Sequence, residues 1–145
     1  MRRRCLVFAP VFALCGCING DLHLYEAQVT GTVSLPGSGT LHLEFHHSFF
    51  FGPSALAHPL GLIDTREQPA SGPVYALDET ILYPTQKGQG LVVYGWLDLD
   101  GDGTLCAPGK TEPAGLAMAE PFPAHQTNLS LTLNQNCAGP ENLYP

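Results

Sequence analysis

Three aspartates occupy every second position within YGWLDLDGDGTLC, residues 94–106: Asp98, Asp100 and Asp102. Carboxylates this close together repel one another unless a positive charge lies between them. Calcium takes roughly six to eight oxygen ligands, and a common calcium loop supplies carboxylates from its positions 1, 3 and 5, with glycine at position 6. The three aspartates and Gly103 reproduce those four positions, which indicates a calcium loop.

The later positions of such a loop fit less closely. The carbonyl of Thr104 would stand at position 7, but Gly109 takes position 12, where such loops carry a bidentate glutamate. Glu112 replaces that glutamate if the CAPGK segment folds back. The competing interpretation is a polar turn, because Asp-Gly is itself a turn dipeptide, although one such pair does not account for a third carboxylate. The predicted calcium ligands are Asp98, Asp100, Asp102, Thr104 and Glu112.

Histidine offers a rival metal site. His42, Glu44 and His46 alternate along LHLEFH and would project from one face of a strand. Imidazole suits zinc and copper, and alternate strand residues can converge on one ion. The competing interpretation is an ordinary solvent-facing strand, on which histidine is a common polar choice.

Catalytic patterns are missing from the sequence. It has no Gly-x-Ser-x-Gly elbow and no phosphate-cradling glycine loop before a helix, so we expect no enzyme. A groove for peptide or carbohydrate is a third possibility, because SFFFGP, residues 48–53, places three aromatic rings in sequence. An exposed ring beside a loop marks a partner surface, whereas the competing interpretation is core filling.

The elements that must position these residues are strands. AQVTGTVSL, LHLEFH and TNLSLTL alternate apolar and polar residues, as half-buried strands do. LVVYGWL, residues 91–97, is apolar on both faces, which is typical of a strand in the middle of a sandwich. Glycine and proline clusters separate these segments. We therefore predict one all-β sandwich of about seven short strands over residues 28–137, followed by a C-terminal tail, 138–145.

The order of these segments resembles the prealbumin-like (transthyretin-like) sandwich modules of exported bacterial proteins, whose relatives include carboxypeptidase regulatory-like domains and the B-type repeats of collagen adhesins. In many such modules a strand of the form aromatic-x-aromatic-x-D-x-D-G-D-G leads to a glycine and proline loop and then to an EP-G pair. Residues 94–103 fit the strand and residues 112–115 fit the pair. The resemblance covers roughly residues 28–133 and implies a structural spacer or a binding surface.

The N-terminus, MRRRCLVFAPVFALCGC, combines a basic head, a short apolar run and small residues, which is typical of a secretory signal. Its last four residues, LCGC, resemble the bacterial lipobox, which implies a signal peptide over 1–16, acylation of Cys17 and a tether over 17–27. Stable anchoring takes more than one acyl chain. Because Ile18 is not the aspartate that retains lipoproteins in the inner membrane of enteric bacteria, the outer membrane is favoured. An ordinary signal peptide is the competing interpretation.

Charge and cysteine usage describe the exported part. After residue 16, three basic residues face 13 acidic ones, so the formal charge is −10 and we expect no nucleic-acid partner. A membrane partner is expected through the lipid alone, and the sequence does not identify a protein or glycan partner. Cys106 and Cys137 are the remaining cysteines, and an even pair in an exported chain favours a disulfide. A redox-active or metal-binding pair is the alternative.

Overall fold

The structure is a computed structural model of the 145-residue chain, and it describes residues 24–49, 60–84, 89–122 and 126–144. The predicted signal peptide, Cys17 and residues 50–53 of the aromatic run lie outside these ranges. Within them, no helix is both long and apolar enough to cross a membrane.

The described residues form an all-β sandwich of two sheets, which confirms the predicted fold class. The three-stranded sheet has the order β4-β1-β7, and the five-stranded sheet has the order β3-β2-β5-β6-β8. The elements are β1 (Leu24–Ser34), β2 (Gly39–Phe49), β3 (Leu60–Ala70), β4 (Val74–Pro84), β5 (Gln89–Asp98), β6 (Pro113–Phe122), β7 (Gln126–Thr132), β8 (Gln135–Asn136) and α1 (Pro140–Leu143).

The strands extend further than the sequence patterns indicated. Each of β1 to β4 has 11 residues, and β1 begins at Leu24, inside the segment that we assigned to the tether. The tail is also structured, because residues 140–143 form a short helix. The difference arises because strand pairing stabilises residues whose hydrophobic pattern is weak, as where Leu24 pairs with Pro84.

Apolar residues from the inner faces of both sheets fill the main core. On β1, Val29 and Val33 are fully buried while Gln28 and Thr32, the residues just before them, are exposed, in agreement with the alternation in the sequence. The five-stranded sheet contributes Leu41, Leu43, Phe45, Leu91, Val93 and Leu97, and the other sheet contributes Leu77, Ile81, Leu129 and Leu131. Each such side chain stabilises the fold by about 1.5–3 kcal/mol relative to exposure.

A second, smaller apolar cluster lies on the outer face of the five-stranded sheet. Tyr94 and Trp96 of β5 form it with Ala114, and Leu105 and Leu143 pack against it. The two-faced apolar pattern of β5 therefore has two causes: one face meets the main core, and the C-terminal segment covers part of the other.

This cover corrects our expectation for the histidine strand. Across the β2–β5 pairing, His42 lies opposite Trp96 and His46 lies opposite Val92, so these histidines share the covered face. His46 is buried, and His42 is only partly exposed. The face that we expected to be solvated is thus mostly enclosed, and at its His42 end the enclosure involves Trp96, against whose cluster Leu143 packs.

Candidate metal centre

The register of two neighbouring strands brings the acidic residues together. Trp96 at the end of β5 pairs with Ala114 at the start of β6 in antiparallel register. Two residues beyond that pair, on the loop side, stand Asp98 and Glu112. The loop between them has positive φ at Gly101, Gly103 and Gly109, a conformation that glycine adopts without steric cost.

The side chains of Asp98, Asp100 and Glu112 converge. One carboxylate oxygen from each lies within 4.8 Å of the other two. Asp98 and Glu112 are buried, with 3% and 1% of their surface exposed, whereas Asp100 lies at the solvent side. Elsewhere in the described ranges, no other group of three histidine, cysteine or acidic side chains gathers in this way.

Backbone amides of the loop hold Asp98 in place. Its Oδ1 accepts hydrogen bonds from the N–H groups of Asp100 and Gly101, at 3.2 and 2.6 Å, and its Oδ2 accepts one from Gly103 at 2.9 Å. Burial raises the pKa of this carboxyl group, but these backbone hydrogen bonds, together with one to the side chain of Glu112, lower the pKa by more, so it lies below its usual value. Asp98 is therefore held as a carboxylate.

Glu112 has a similar set of backbone partners. Its Oε1 accepts the N–H of Leu99 at 3.1 Å, and its Oε2 accepts the N–H of Cys106 at 2.7 Å. Because two carboxylate oxygens offer about four lone-pair sites, Asp98 retains about one free site and Glu112 about two. The pair can thus accept a cation without losing its amide partners.

Few positive side chains neutralise the cluster. Lys110 Nζ lies 3.1 Å from Oδ2 of Asp100, while His42 Nε2 is 4.0 Å from Oδ2 of Asp98. Among the described residues, neither Asp98 nor Glu112 has a lysine or arginine within ion-pair distance. The cluster therefore carries a net negative charge in a mostly buried position.

One predicted carboxylate, Asp102, is not part of the cluster, while the Thr104 carbonyl stays a prediction. Asp102 and Thr104 are exposed, and Oδ1 of Asp102 accepts the N–H of Thr104 at 2.8 Å. The carboxylate of Asp102 thus caps the loop backbone, and the structure brings together three of the four predicted carboxylates.

The histidine candidates do not converge either. The His42 ring stacks on Trp96, with centroids 4.0 Å apart and planes 5° from parallel. Nε2 of His46 instead lies 2.8 Å from Oε2 of Glu44. Since His42 is directed at Asp98 and His46 at Glu44, the structure separates the predicted zinc or copper ligands into two contacts.

The predicted cysteine pair is joined. Cys106 and Cys137 form a disulfide with their Cα atoms 5.4 Å apart, inside the usual range of about 4.4–6.8 Å. The bridge links the acidic loop to the chain that follows β8.

Sequence reasoning missed the partners that the C-terminal segment supplies. Leu143 packs against the Tyr94 and Trp96 cluster, and the hydroxyl of Tyr94 donates to the carbonyl of Ala138 at 2.9 Å. The available signal was the apolar outer face of β5, which needed a cover that the strand patterns did not provide.

The similarity of the chain to known proteins is slight. No protein-family model matches the chain, and no curated protein matches it. Among solved structures, the chain is similar to an alternative pilotin from the type II secretion system of Vibrio cholerae, with 9% sequence identity over 78% of this chain and 99% of that chain, and a TM-score of 0.45.

Proposed function

We propose that this protein is a lipid-anchored cell-envelope module with a structural or binding role, and that calcium binds in the loop after β5. The observation that carries the calcium site is the convergence of the Asp98, Asp100 and Glu112 carboxylates within 4.8 Å. We assign the protein no catalytic activity.

The electrostatics of the cluster favour a bound cation. Two like charges about 5 Å apart repel by about 3 kcal/mol at an effective dielectric constant near 20, and Asp98 and Glu112 are both removed from solvent. Lys110 offsets the charge of Asp100 alone. A divalent ion among the three carboxylates reverses the sign of the repulsion.

The donor set favours calcium over other metals. All three ligand side chains offer carboxylate oxygen, which suits calcium and magnesium, whereas zinc and copper prefer nitrogen and sulfur. Magnesium requires a tight octahedron and retains its waters, while calcium tolerates irregular sites of roughly six to eight oxygens. Backbone carbonyls or waters must complete such a shell.

The test is a melting curve and a calorimetric titration of the purified protein with calcium, magnesium or a chelator. Binding to the folded state alone stabilises it by about 2.7 kcal/mol when calcium is at one hundred times its Kd. Magnesium should do less. A melting temperature that millimolar calcium leaves unchanged would contradict the metal site.

Asp100→Asn and Asp102→Asn form a matched pair for locating the ion. The first removes a carboxylate of the cluster, and the second removes one that lies outside it. We expect Asp100→Asn to weaken calcium binding about tenfold or more, equivalent to about 1.4 kcal/mol, and Asp102→Asn to leave it within about threefold. Equal losses would instead support a loop that uses all three aspartates.

The anchor has its own test. We propose acylation at Cys17, supported by the lipobox-like LCGC segment, and placement in the outer membrane, supported by Ile18. Cys17→Ser should shift the protein from the membrane fraction to the soluble envelope fraction, whereas Cys15→Ser should not. Membrane fractionation of Cys17→Ser identical to the wild type would contradict the anchor without affecting the calcium site.

A further inference from the structure

The C-terminal strap, defined as residues 137–144, covers the outer face of β5. It begins at the disulfide, where the N–H of Cys137 donates a hydrogen bond to the carbonyl of Glu112 at 2.9 Å. The carbonyl of Ala138 then accepts a hydrogen bond from the Tyr94 hydroxyl. Leu143 then packs against the Tyr94 and Trp96 cluster. These contacts close the second apolar cluster of the molecule.

Within the strap, local structure contributes little stability. Helix α1 has four residues and none of them is buried. Helices this short are not stable alone, since nucleation is unfavourable and each end leaves backbone groups unpaired. The strap therefore depends on its attachments to the sheet, which are the β6–β8 pairing, its hydrogen bonds and the disulfide, and of these the disulfide is the covalent one.

Both half-cystines are held in a disfavoured backbone conformation. Cys106 has φ of 54° and Cys137 has φ of 57°, and they are the two non-glycine residues with positive φ in the described part of the chain. The left-handed region brings Cβ close to the following carbonyl oxygen, so residues other than glycine enter it at a cost. Cleavage of the bridge frees both residues to leave this region.

The two sulfurs differ in access and in hydrogen bonding. Cys137 is exposed, whereas Cys106 is partly buried. The N–H of Glu112 donates to Sγ of Cys106 at 3.1 Å, so a thiolate formed at Cys106 already has a donor. Attack is therefore expected at the sulfur of the more exposed residue, Cys137, with Cys106 as the leaving thiolate because the N–H of Glu112 stabilises it.

From these observations we infer that Cys106–Cys137 is a redox-sensitive latch, whose reduction by a dithiol releases the C-terminal strap and uncovers the apolar face of β5. One thiolate of the reductant attacks Sγ of Cys137, the S–S bond breaks, and Cys106 leaves as a thiolate that takes up a proton. The second thiol of the reductant displaces Cys137 from the mixed disulfide. The dithiol becomes a disulfide, and the protein gains two electrons and two protons.

Trp96 reports the opening directly because it is the single tryptophan of the chain. The experiment measures tryptophan emission and acrylamide quenching of the purified protein before and after reduction, with chelator present so that calcium occupancy plays no part. We expect a red shift and about a twofold rise in the quenching constant on reduction. Cys106→Ser/Cys137→Ser should show the reduced values without reductant and should not respond to reductant. Unchanged emission and quenching, with both thiols shown to be free by alkylation, overturn the latch.

Hydrogen exchange distinguishes opening of the latch from general unfolding. It is measured on the reduced wild-type protein, so the test holds even if the double variant folds poorly. In the reduced protein, exchange should rise in peptides that cover residues 138–144, while β1 and β2 keep their protection. Loss of protection throughout the sandwich on reduction overturns the inference, because the bridge would then stabilise the whole fold. Peptide mapping after limited reaction with glutathione should find the mixed disulfide on Cys137, and its appearance on Cys106 contradicts the assigned point of attack.

Discussion

The hydroxyl of Tyr94 donates a hydrogen bond to the carbonyl of Ala138, joining the centre of β5 to a segment 44 residues later. Tyr94 is buried, with 1% of its surface exposed, although it points away from the main core. This one contact places the polar end of a large aromatic residue against the strap and its ring within the second apolar cluster. The outer face of the five-stranded sheet is thereby a packed region of the protein.

Replacing Tyr94 by phenylalanine tests the strength of this contact. Tyr94→Phe keeps the ring and removes the hydroxyl, so it should lower the free energy of unfolding at pH 7 by about 1 kcal/mol. Urea unfolding measures the change, and the slope of free energy against urea should remain that of the wild type. A variant as stable as the wild type would show that water replaces the bond without loss.

The same residue predicts loss of stability in alkali. Burial raises the pKa of Tyr94 above its ordinary value of 10.0, and the negative charges of Glu44 and Glu141 raise it further. Because the folded state holds this proton more tightly than the unfolded state, the stabilisation is complete below pH 10 and is lost as the pH rises through the folded pKa. The difference in stability between wild type and Tyr94→Phe should therefore shrink above pH 10. A difference that stays constant up to pH 11 in urea titrations would contradict the assignment.

Gly31 should tolerate no side chain where β1 meets β7. It has φ of 143°, and a Cβ atom there would lie 1.8 Å from the carbonyl oxygen of Leu129 on the parallel neighbour β7. Gly31→Ala must push the two backbones apart, so we expect a loss of about 3 kcal/mol in thermal or urea unfolding. Gly37→Ala is the control: its nearest contact would be Leu99 Cδ2 at 3.7 Å, and its effect should stay within about 0.5 kcal/mol. Equal effects of the two variants would contradict the close approach.

Arg66 connects the edge strands of the two sheets. From β3 it pairs with Asp64 at 2.6 Å, and its Nε donates to Glu79 on β4 at 3.1 Å. Arg66→Gln removes the positive charge beside the mostly buried Glu79, so it should lower the free energy of unfolding by about 1–2 kcal/mol. Lys110 is exposed, so Lys110→Gln should lower the free energy of unfolding by about 0.5 kcal/mol or less. Urea unfolding of both variants in chelator measures the difference, and a cost for Lys110→Gln as large as that for Arg66→Gln would contradict it.

The pH dependence of Arg66→Gln has a defined sign. The hydrogen bond from Arg66 lowers the pKa of Asp64 below its ordinary 3.8, against the opposing effect of burial. The stabilisation is therefore present above pH 3.8 and is lost as the pH falls through the folded pKa. The difference between wild type and Arg66→Gln should narrow below pH 3.8, and a difference that widens there would contradict the pairing.

The sequence by itself determined the features that depend on local alternation and on residue type. The period of two in Val29 and Val33, or in Leu41 and Leu43, was enough to predict strands and an all-β sandwich, because successive strand residues point to opposite faces. The acidic loop was also marked by local sequence, because Asp98, Asp100 and Asp102 have the spacing of a calcium-type loop.

Only the tertiary structure decided which of those residues meet. Glu112 lies beside Asp98 because the β5–β6 register places Trp96 opposite Ala114, while Asp102, close by in sequence, caps its own loop. His42 and His46 share a face that a segment nearly a hundred residues later helps to enclose. Register and cover arise from contacts between distant segments, and a hydrophobic pattern shows that a face is apolar without showing what packs on it.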